Sequence, residues 1–110
     1  MRLFQGVVLS ALTSVLLVQA QPKPVDYAAK VQPILKKRCE ACHGAAQQIG
    51  GLRFDQRDAA MAGGYSGPVI VPGKSADSKL IHRVTGAPGV VVIPPSGPKL
   101  TAEEIATLRT

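Results

Sequence analysis

Aromatic side chains are scarce in this sequence, and their scarcity limits how the chain can build a core. Its 110 residues include no tryptophan, two tyrosines and two phenylalanines, against 11 glycines and 9 prolines. A chain of this size can barely stabilise itself by burying its own apolar surface, so a large apolar cofactor would supply the missing bulk. The net charge is +6, but the shortage of aromatic rings on which bases stack speaks against nucleic-acid binding.

Cysteine is rarer still, and its two positions exclude the disulfide framework common in small exported domains. Cys39 and Cys42 stand three positions apart, directly before His43. A thioredoxin-like CxxC would need a preceding strand in a βαβ context, whereas a basic segment with helical spacing precedes this one. A zinc site would need four well-spread ligands, and His82 is the only other histidine.

The resulting Cys39-Glu40-Ala41-Cys42-His43 stretch is the CxxCH signature of covalent haem attachment. Two thiols at this spacing lie about one helical turn apart, so both reach the vinyl groups on one edge of a porphyrin. The adjacent imidazole then serves as the proximal ligand of the iron. We predict one covalently bound haem c, with thioethers at Cys39 and Cys42 and His43 as the iron ligand.

The sequence has no apolar run long enough to predict a lasting membrane span. The run from Val7 to Val18 is shorter than the ~20 residues needed to cross a bilayer. Arg2 precedes it, and Val18-Gln19-Ala20 is a small-residue cleavage pattern, so residues 1–20 are predicted to be a signal peptide. We expect the domain of residues 21–110 to be periplasmic or secreted, with no stable membrane span after cleavage.

Short helices are predicted at four places by apolar spacing and capping residues. They are a helix from Tyr27 capped by Asp26 and kinked or restarted at Pro33, one or two turns over 55–61 closed by Gly63-Gly64, a helix over 78–84 capped by Ser75 or Asp77, and a last helix opened by the Thr101–Glu104 capping box with Ile105 and Leu108 inward. The loops between them are long and need something to pack on. We therefore predict a small all-α domain of three to four short helices and long loops around one haem.

The same residues resemble the planctomycete-type cytochrome c domain, a small relative of class I cytochromes c. The matching stretches follow in order over nearly all of the expected mature chain: Val31–Leu35, Cys39–Gly44, Gly51–Asp55, Gly63–Pro68, Val71–Ser75, Ser78–Ile81, Pro94-Pro95 and Leu100–Ile105. The resemblance implies an all-helical c-type cytochrome fold, placement outside the cytoplasm, and electron transfer to unidentified redox partner proteins rather than enzymatic activity. By analogy with class I cytochromes, Pro68 is a possible carbonyl acceptor for the second ring N–H of His43.

Two departures from the family pattern bear on this reading. Family members usually carry Met directly before the Pro-Pro pair, where it resembles a distal iron ligand, and this chain has Ile93 there. Isoleucine has no lone pair and cannot bind iron. The last helix of the family usually continues into a Trp-Ile pair, whereas this sequence stops at Thr110. We therefore expect a truncated C-terminal helix, and the chain can alternatively be the N-terminal haem-domain fragment of a larger protein.

The distal iron ligand is left open by the sequence. Met61 is a candidate, since a thioether ligand raises the potential of a His-ligated iron, but methionine also commonly fills gaps in cores. His82 follows two apolar residues on a short helix and is expected to point outward. The remaining option is a five-coordinate or water-bound iron, as in peroxidase-like or gas-binding haem proteins. Peroxidase chemistry would need an acid/base group, for which His82, Asp55 and Asp58 are the candidates.

The basic cluster Lys36-Lys37-Arg38 directly before the motif has two interpretations. It can dock an acidic redox partner by electrostatic steering. It can equally be a solvated face at a helix C-terminus, where cations suit the helix dipole. The sequence favours the second.

Overall fold

The secondary structure of the chain is built from short helices separated by irregular segments. The structure, a computed structural model, describes residues 16–19 and 23–110, and in this part no strand is formed. Its α-helices are α1 (Gln32–Arg38), α2 (Arg57–Ala62), α3 (Lys79–Thr85) and α4 (Ala102–Arg109). The predicted all-α class is confirmed. Most of the predicted signal peptide lies outside the described residues and stays a prediction.

The first helical segment starts and restarts where its sequence predicts. Asp26 is the N-cap, and its Oδ1 accepts a hydrogen bond from the Ala29 N–H at 3.1 Å. A single π-helical turn over Tyr27–Val31 then gives way to α1, whose first turn contains Pro33. Proline fits there because the first turn of a helix does not use its N–H groups. Pro33 therefore marks the restart of the helix.

The predicted cap of α3 is wrong. Ser75–Asp77 forms a separate 3₁₀ turn, and the N-cap of α3 is Ser78. The Ser78 side chain does not cap α3; its Oγ accepts a hydrogen bond from the Val71 N–H at 2.9 Å and donates to the Lys74 carbonyl at 3.1 Å. Ser78 is buried, and its hydrogen bonds connect α3 to the segment that precedes it. At its other end α3 stops at Gly86, which has the left-handed conformation that glycine adopts at low cost.

The predicted capping box of α4 is confirmed. Thr101 Oγ1 accepts from the Glu104 N–H at 3.1 Å, and Glu104 Oε1 accepts from the Thr101 N–H at 3.3 Å. The same carboxylate also accepts three hydrogen bonds from the Arg38 guanidinium at the end of α1, the shortest at 2.7 Å. This ion pair joins the first and last helices, and its Arg38 directly precedes Cys39.

Buried side chains form two small clusters. One contains Leu35, Cys39, Phe54 and Ala60, and the other contains Ile34, Val84 and Leu100. Leu80 and Leu108 pack against both clusters, and Ile105 packs against the second, so the predicted inward face of α4 is confirmed. Among the described residues, no helix is both long and apolar enough to cross a membrane.

Candidate functional site

A cavity of about 540 Å³ opens between the two clusters. Cys39 and Phe54 line it from the first cluster, and Val84 and Leu100 line it from the second. His43 also lines it, and most of the remaining wall is apolar. Cofactor sites typically have volumes of roughly 300–1,000 Å³, apolar walls and a few placed polar groups. The cavity is therefore of the size and character that a cofactor site requires.

The cysteine motif continues the turns of α1 after the helix ends. The Cys39 N–H donates to the Leu35 carbonyl at 2.9 Å, and the Cys42 and His43 N–H groups both donate to the Cys39 carbonyl, at 3.2 and 2.9 Å. Cys39 is buried and lines the cavity, whereas Cys42 is exposed and does not line it. Neither cysteine forms a disulfide.

The His43 ring is positioned by Phe54 and by the close turn at Gly44. The Phe54 N–H donates to the His43 carbonyl at 2.7 Å. The two ring centroids lie 5.8 Å apart with the planes nearly perpendicular, at 86°, which is a favoured aromatic arrangement. A Cβ atom at Gly44 would lie 2.4 Å from the Glu40 carbonyl oxygen. The backbone therefore doubles back against the motif at a distance that only glycine permits.

His43 Nδ1 is buried, and the described residues give it no hydrogen-bond partner. The predicted bond to the Pro68 carbonyl is not formed. A buried polar atom left without a partner costs about 1–3 kcal/mol, and a metal-ligating imidazole engages the metal with one nitrogen and a second group with the other. Because His43 Nδ1 has no hydrogen-bond partner among the described residues, this nitrogen is available to a bound group or to water.

The electrostatics of Cys39 distinguish haem attachment from thiol redox chemistry. Burial, with a smaller contribution from the charge of Glu40, raises the pKa of the Cys39 thiol from its ordinary 9.0 to about 11. A redox-active CxxC cysteine needs a lowered pKa instead. The described residues also contain no group of three or more histidine, cysteine or acidic side chains able to hold a metal ion. The raised pKa of the Cys39 thiol therefore fits haem attachment better than a thioredoxin-like pair.

The structure does not bring the two distal candidates to His43. Met61 lines a second, smaller cavity of about 250 Å³. His82 Nε2 lies 2.5 Å from the Ala76 carbonyl oxygen, and His82 does not line the larger cavity. Ile93 does line it, and its N–H donates to the Arg83 carbonyl at 2.9 Å. The residue directly before Pro94-Pro95 is thus part of the wall of the His43 cavity.

Two cations in the wall of this cavity, Lys79 and Arg83, were not singled out in the sequence. They stand four positions apart on α3, each next to a cavity-lining apolar residue, Leu80 or Val84. The pattern was visible in the sequence, since positions i and i+4 share a helix face. The sequence alone does not show which side of α3 faces the cavity, and without that the spacing of Lys79 and Arg83 has no special meaning.

Comparison with known proteins identifies one family. A family model described as planctomycete cytochrome C matches residues 39–97, which is more than half of the chain and begins at the first cysteine of the motif. No curated protein and no solved structure matches the chain.

Proposed function

Because the chain belongs to the planctomycete cytochrome c family, we propose that it is a single-haem c-type cytochrome that transfers electrons outside the cytoplasm. The observation that carries this proposal is that Cys39 and His43 of the CxxCH motif line one apolar cavity of about 540 Å³. The signal-peptide pattern of residues 1–20 supports the placement. Lys36 and Lys37 are exposed and available to a redox partner, whereas Arg38 is paired with Glu104.

Each residue of the site has a defined part in this proposal. Cys39 and Cys42 would hold the haem through thioethers, and His43 would ligate its iron. Bound haem supplies one-electron oxidation and reduction at the iron. Phe54 orients the imidazole through a perpendicular ring contact and a backbone hydrogen bond. The apolar walls exclude water from the metal's surroundings, which is one of the ways a protein tunes a redox potential.

The proposal is tested by producing the full chain together with a c-type maturation system. We expect one covalent haem per chain by mass and by the pyridine haemochrome spectrum, a reversible potential in film voltammetry, and a mature N-terminus near residue 21 in the periplasmic fraction. Cys39→Ala and Cys42→Ala should each lose one thioether, and His43→Ala should lose the proximal ligand. Absence of covalent haem in the unmodified chain would contradict the proposal.

A second candidate function, reversible binding of a small ligand at an open iron position, is favoured by one observation. Ile93 lines the His43 cavity, whereas neither Met61 nor His82 does. An iron without a second side-chain ligand can accept CO, NO or peroxide. The predicted acid/base groups for peroxidase chemistry are also placed elsewhere, since Asp55 is paired with Arg53 and Asp58 is exposed on α2. Ligand binding is therefore the better form of this alternative.

Spectroscopy separates the two functions. An open site predicts a high-spin ferric EPR signal and fast CO binding to the ferrous protein. Ile93→Met should then give a six-coordinate, low-spin iron and slow CO binding. Ile49→Met is the matched control, because Ile49 lines the same cavity but does not occupy the position before Pro94. A low-spin spectrum in the unmodified protein that is lost in Met61→Ala would instead establish Met61 as the ligand.

A further inference from the structure

We propose that Lys79 and Arg83 form a carboxylate-binding pair for the two propionate groups of the haem. The proposal rests on the proposed function and adds to it the residues that fix the polar edge of the cofactor. It depends on three features, which are the place of the two cations in the cavity wall, the lack of acidic groups around them, and the complementarity between these cations and the carboxylates of the proposed ligand.

The first feature is position. Lys79 and Arg83 both line the cavity that His43 and Cys39 line, and both are exposed. Residues four apart on a helix lie on the same face, about 5–6 Å apart at their Cβ atoms. Their neighbours Leu80 and Val84 line the same cavity. This face of α3 thus offers apolar contact to the body of a ligand and two cations at the solvent edge.

The second feature is the absence of an acidic counterpart. The residues that line the cavity include no aspartate or glutamate. Within residues 16–19 and 23–110 neither cation forms an ion pair, and the one polar contact of the Lys79 Nζ is with the Ser66 carbonyl at 3.4 Å. The ion pairs of this part of the chain, Arg38–Glu104 and Arg53–Asp55, lie outside this face of α3. The part of the chain that the structure describes therefore gives the two cations no acidic counterion.

The third feature is complementarity with the proposed ligand. Haem carries two carboxylates that remain ionised near neutral pH, and burying an unpaired charge is costly. Arginine binds a carboxylate with a planar fork of donors, and lysine binds one as a mobile point charge. Two cations at the open edge of an apolar cavity supply one partner for each propionate while the ring system remains among the apolar walls.

The test uses the complete haem-loaded protein and compares Lys79→Gln, Arg83→Gln and the double variant with the unmodified chain. Lys74→Gln and Arg109→Gln are matched controls, because these cations are exposed and do not line the cavity. The midpoint potential is measured by film voltammetry from pH 4 to 9. The titratable groups that line the cavity are Cys39, His43, Lys79 and Arg83, of which Cys39 and His43 are committed to the haem. The pH-dependent step below pH 9 therefore reports the propionates.

A nearby cation lowers the pKa of a carboxyl group by roughly 1–3 units. We expect the double variant to shift the pH-dependent step upward by on the order of one unit and to lower the midpoint potential at pH 7, since unpaired propionates stabilise the ferric state. Each single variant should give part of the effect. The single variants therefore keep the test decisive if the double variant does not fold. The charge-preserving Lys79→Arg and Arg83→Lys should retain the original profile.

Three results would overturn the proposal. They are a double variant with the profile of the unmodified protein, controls that shift as much as the cavity variants, and a charge-preserving variant that behaves like its glutamine counterpart. Covalent haem content is measured in the same samples. A failure of the proposed function would appear as absent haem in the unmodified chain, whereas a failure of this inference would appear as normal haem with an unchanged titration.

Discussion

At the residue scale, the CxxCH motif is held in place by neighbours that are not part of it. Phe54 packs its ring nearly perpendicular to that of His43 and donates its N–H to the His43 carbonyl, and Gly44 lets the chain turn back against Glu40. Phe54 bears on the direction of the imidazole, and Gly44 bears on the path of the backbone that follows it. The geometry of the site therefore depends on how tightly the backbone turns immediately after His43.

Replacement of Gly44 by alanine should destabilise the protein. The added Cβ would lie 2.4 Å from the Glu40 carbonyl oxygen, so the turn must shift, and overpacking of this kind costs about 1–3 kcal/mol. The measurement is denaturant unfolding of the haem-loaded protein. Ala45→Ser adds one heavy atom at the next, exposed position and is the control. Equal stability of Gly44→Ala and Ala45→Ser would contradict the close approach.

At the scale of the helices, α3 and α4 are each held by a polar side chain that bonds outside its own helix. Ser78 ties α3 to the segment before it, and Glu104 ties α4 to α1. Each helix is at most eight residues long. Isolated helices of this length are marginal in water. These tertiary bonds therefore contribute to holding helices that would not form alone.

Ser78→Ala should destabilise the domain by about 0.5–1.5 kcal/mol, the net contribution of a typical intramolecular hydrogen bond. The Val71 N–H loses its acceptor, since it donates to Ser78 Oγ at 2.9 Å. Ser75→Ala is the matched control, because the Ser75 side chain does not cap the helix, and it should change stability by less than about 0.5 kcal/mol. Thermal and urea unfolding give both values. A larger effect for Ser75→Ala would restore Ser75 as the cap.

Glu104 should make the stability of the domain depend on acid. The hydrogen bonds from Arg38 lower the pKa of its carboxyl group from the ordinary 4.5 to about 2. A carboxyl group with a lowered pKa in the folded state stabilises the protein above its unfolded pKa, and this contribution is lost as the pH falls toward the folded pKa. We expect stability to decline between pH 4.5 and about 2, and Glu104→Gln should reduce this decline and lower stability at pH 7.

The control for this prediction is Glu103→Gln, an exposed neighbour on the same turn of α4. It removes the same charge without breaking the pair with Arg38. Unfolding midpoints of both variants across pH 2 to 7 provide the comparison. If Glu103→Gln altered the acid profile as much as Glu104→Gln, general charge repulsion and not the Arg38 pair would explain the decline.

At the scale of the whole molecule, the main cavity separates the two clusters of buried side chains. Leu80 and Leu108 pack against both clusters, and the larger cavity lies between Phe54 on one side and Leu100 on the other. The side chains alone thus form two small cores rather than one. Under the proposed function, the haem contributes the apolar surface that unites them.

The double variant Cys39→Ala/Cys42→Ala should therefore lose much of its cooperative folding. It cannot attach haem covalently, and the domain is then left with its two small clusters, which is little core for a chain of this length. Circular dichroism at 222 nm during heating should show a broad transition at a much lower temperature than in the haem-loaded protein. A cooperative transition at an unchanged temperature would show that the polypeptide needs no cofactor to complete its core.

Much of the local structure could be predicted from the sequence because its signals are short-range. Asp26 and the Thr101–Glu104 capping box act within one helical turn, and both are confirmed. The cap of α3 was wrong because Ser75 and Ser78 are equally suitable by residue type. The choice between them depends on the acceptor that Val71 requires, and this is a tertiary contact.

The site was predictable in its chemistry but not in its surroundings. The CxxCH spacing points to haem by itself, whereas the pairing of Arg38 with Glu104 joins residues far apart in the sequence. Met61 remained a candidate in the sequence because methionine is a good ligand type, and only the path of the chain assigns it to the smaller cavity. The spacing of residues along one helix shows which chemistry they can support. It does not show which distant segments of the chain contact each other.

The position of Ile93 in the cavity wall has a consequence for how such a protein changes by mutation. Every isoleucine codon becomes the methionine codon by a change of its third base alone. Ile93 already lines the cavity, and its N–H donates to the Arg83 carbonyl, so a methionine at this position would start from the same place in the wall. Under the open-site proposal, a ligand-binding protein and an electron carrier with this backbone are separated by a single nucleotide.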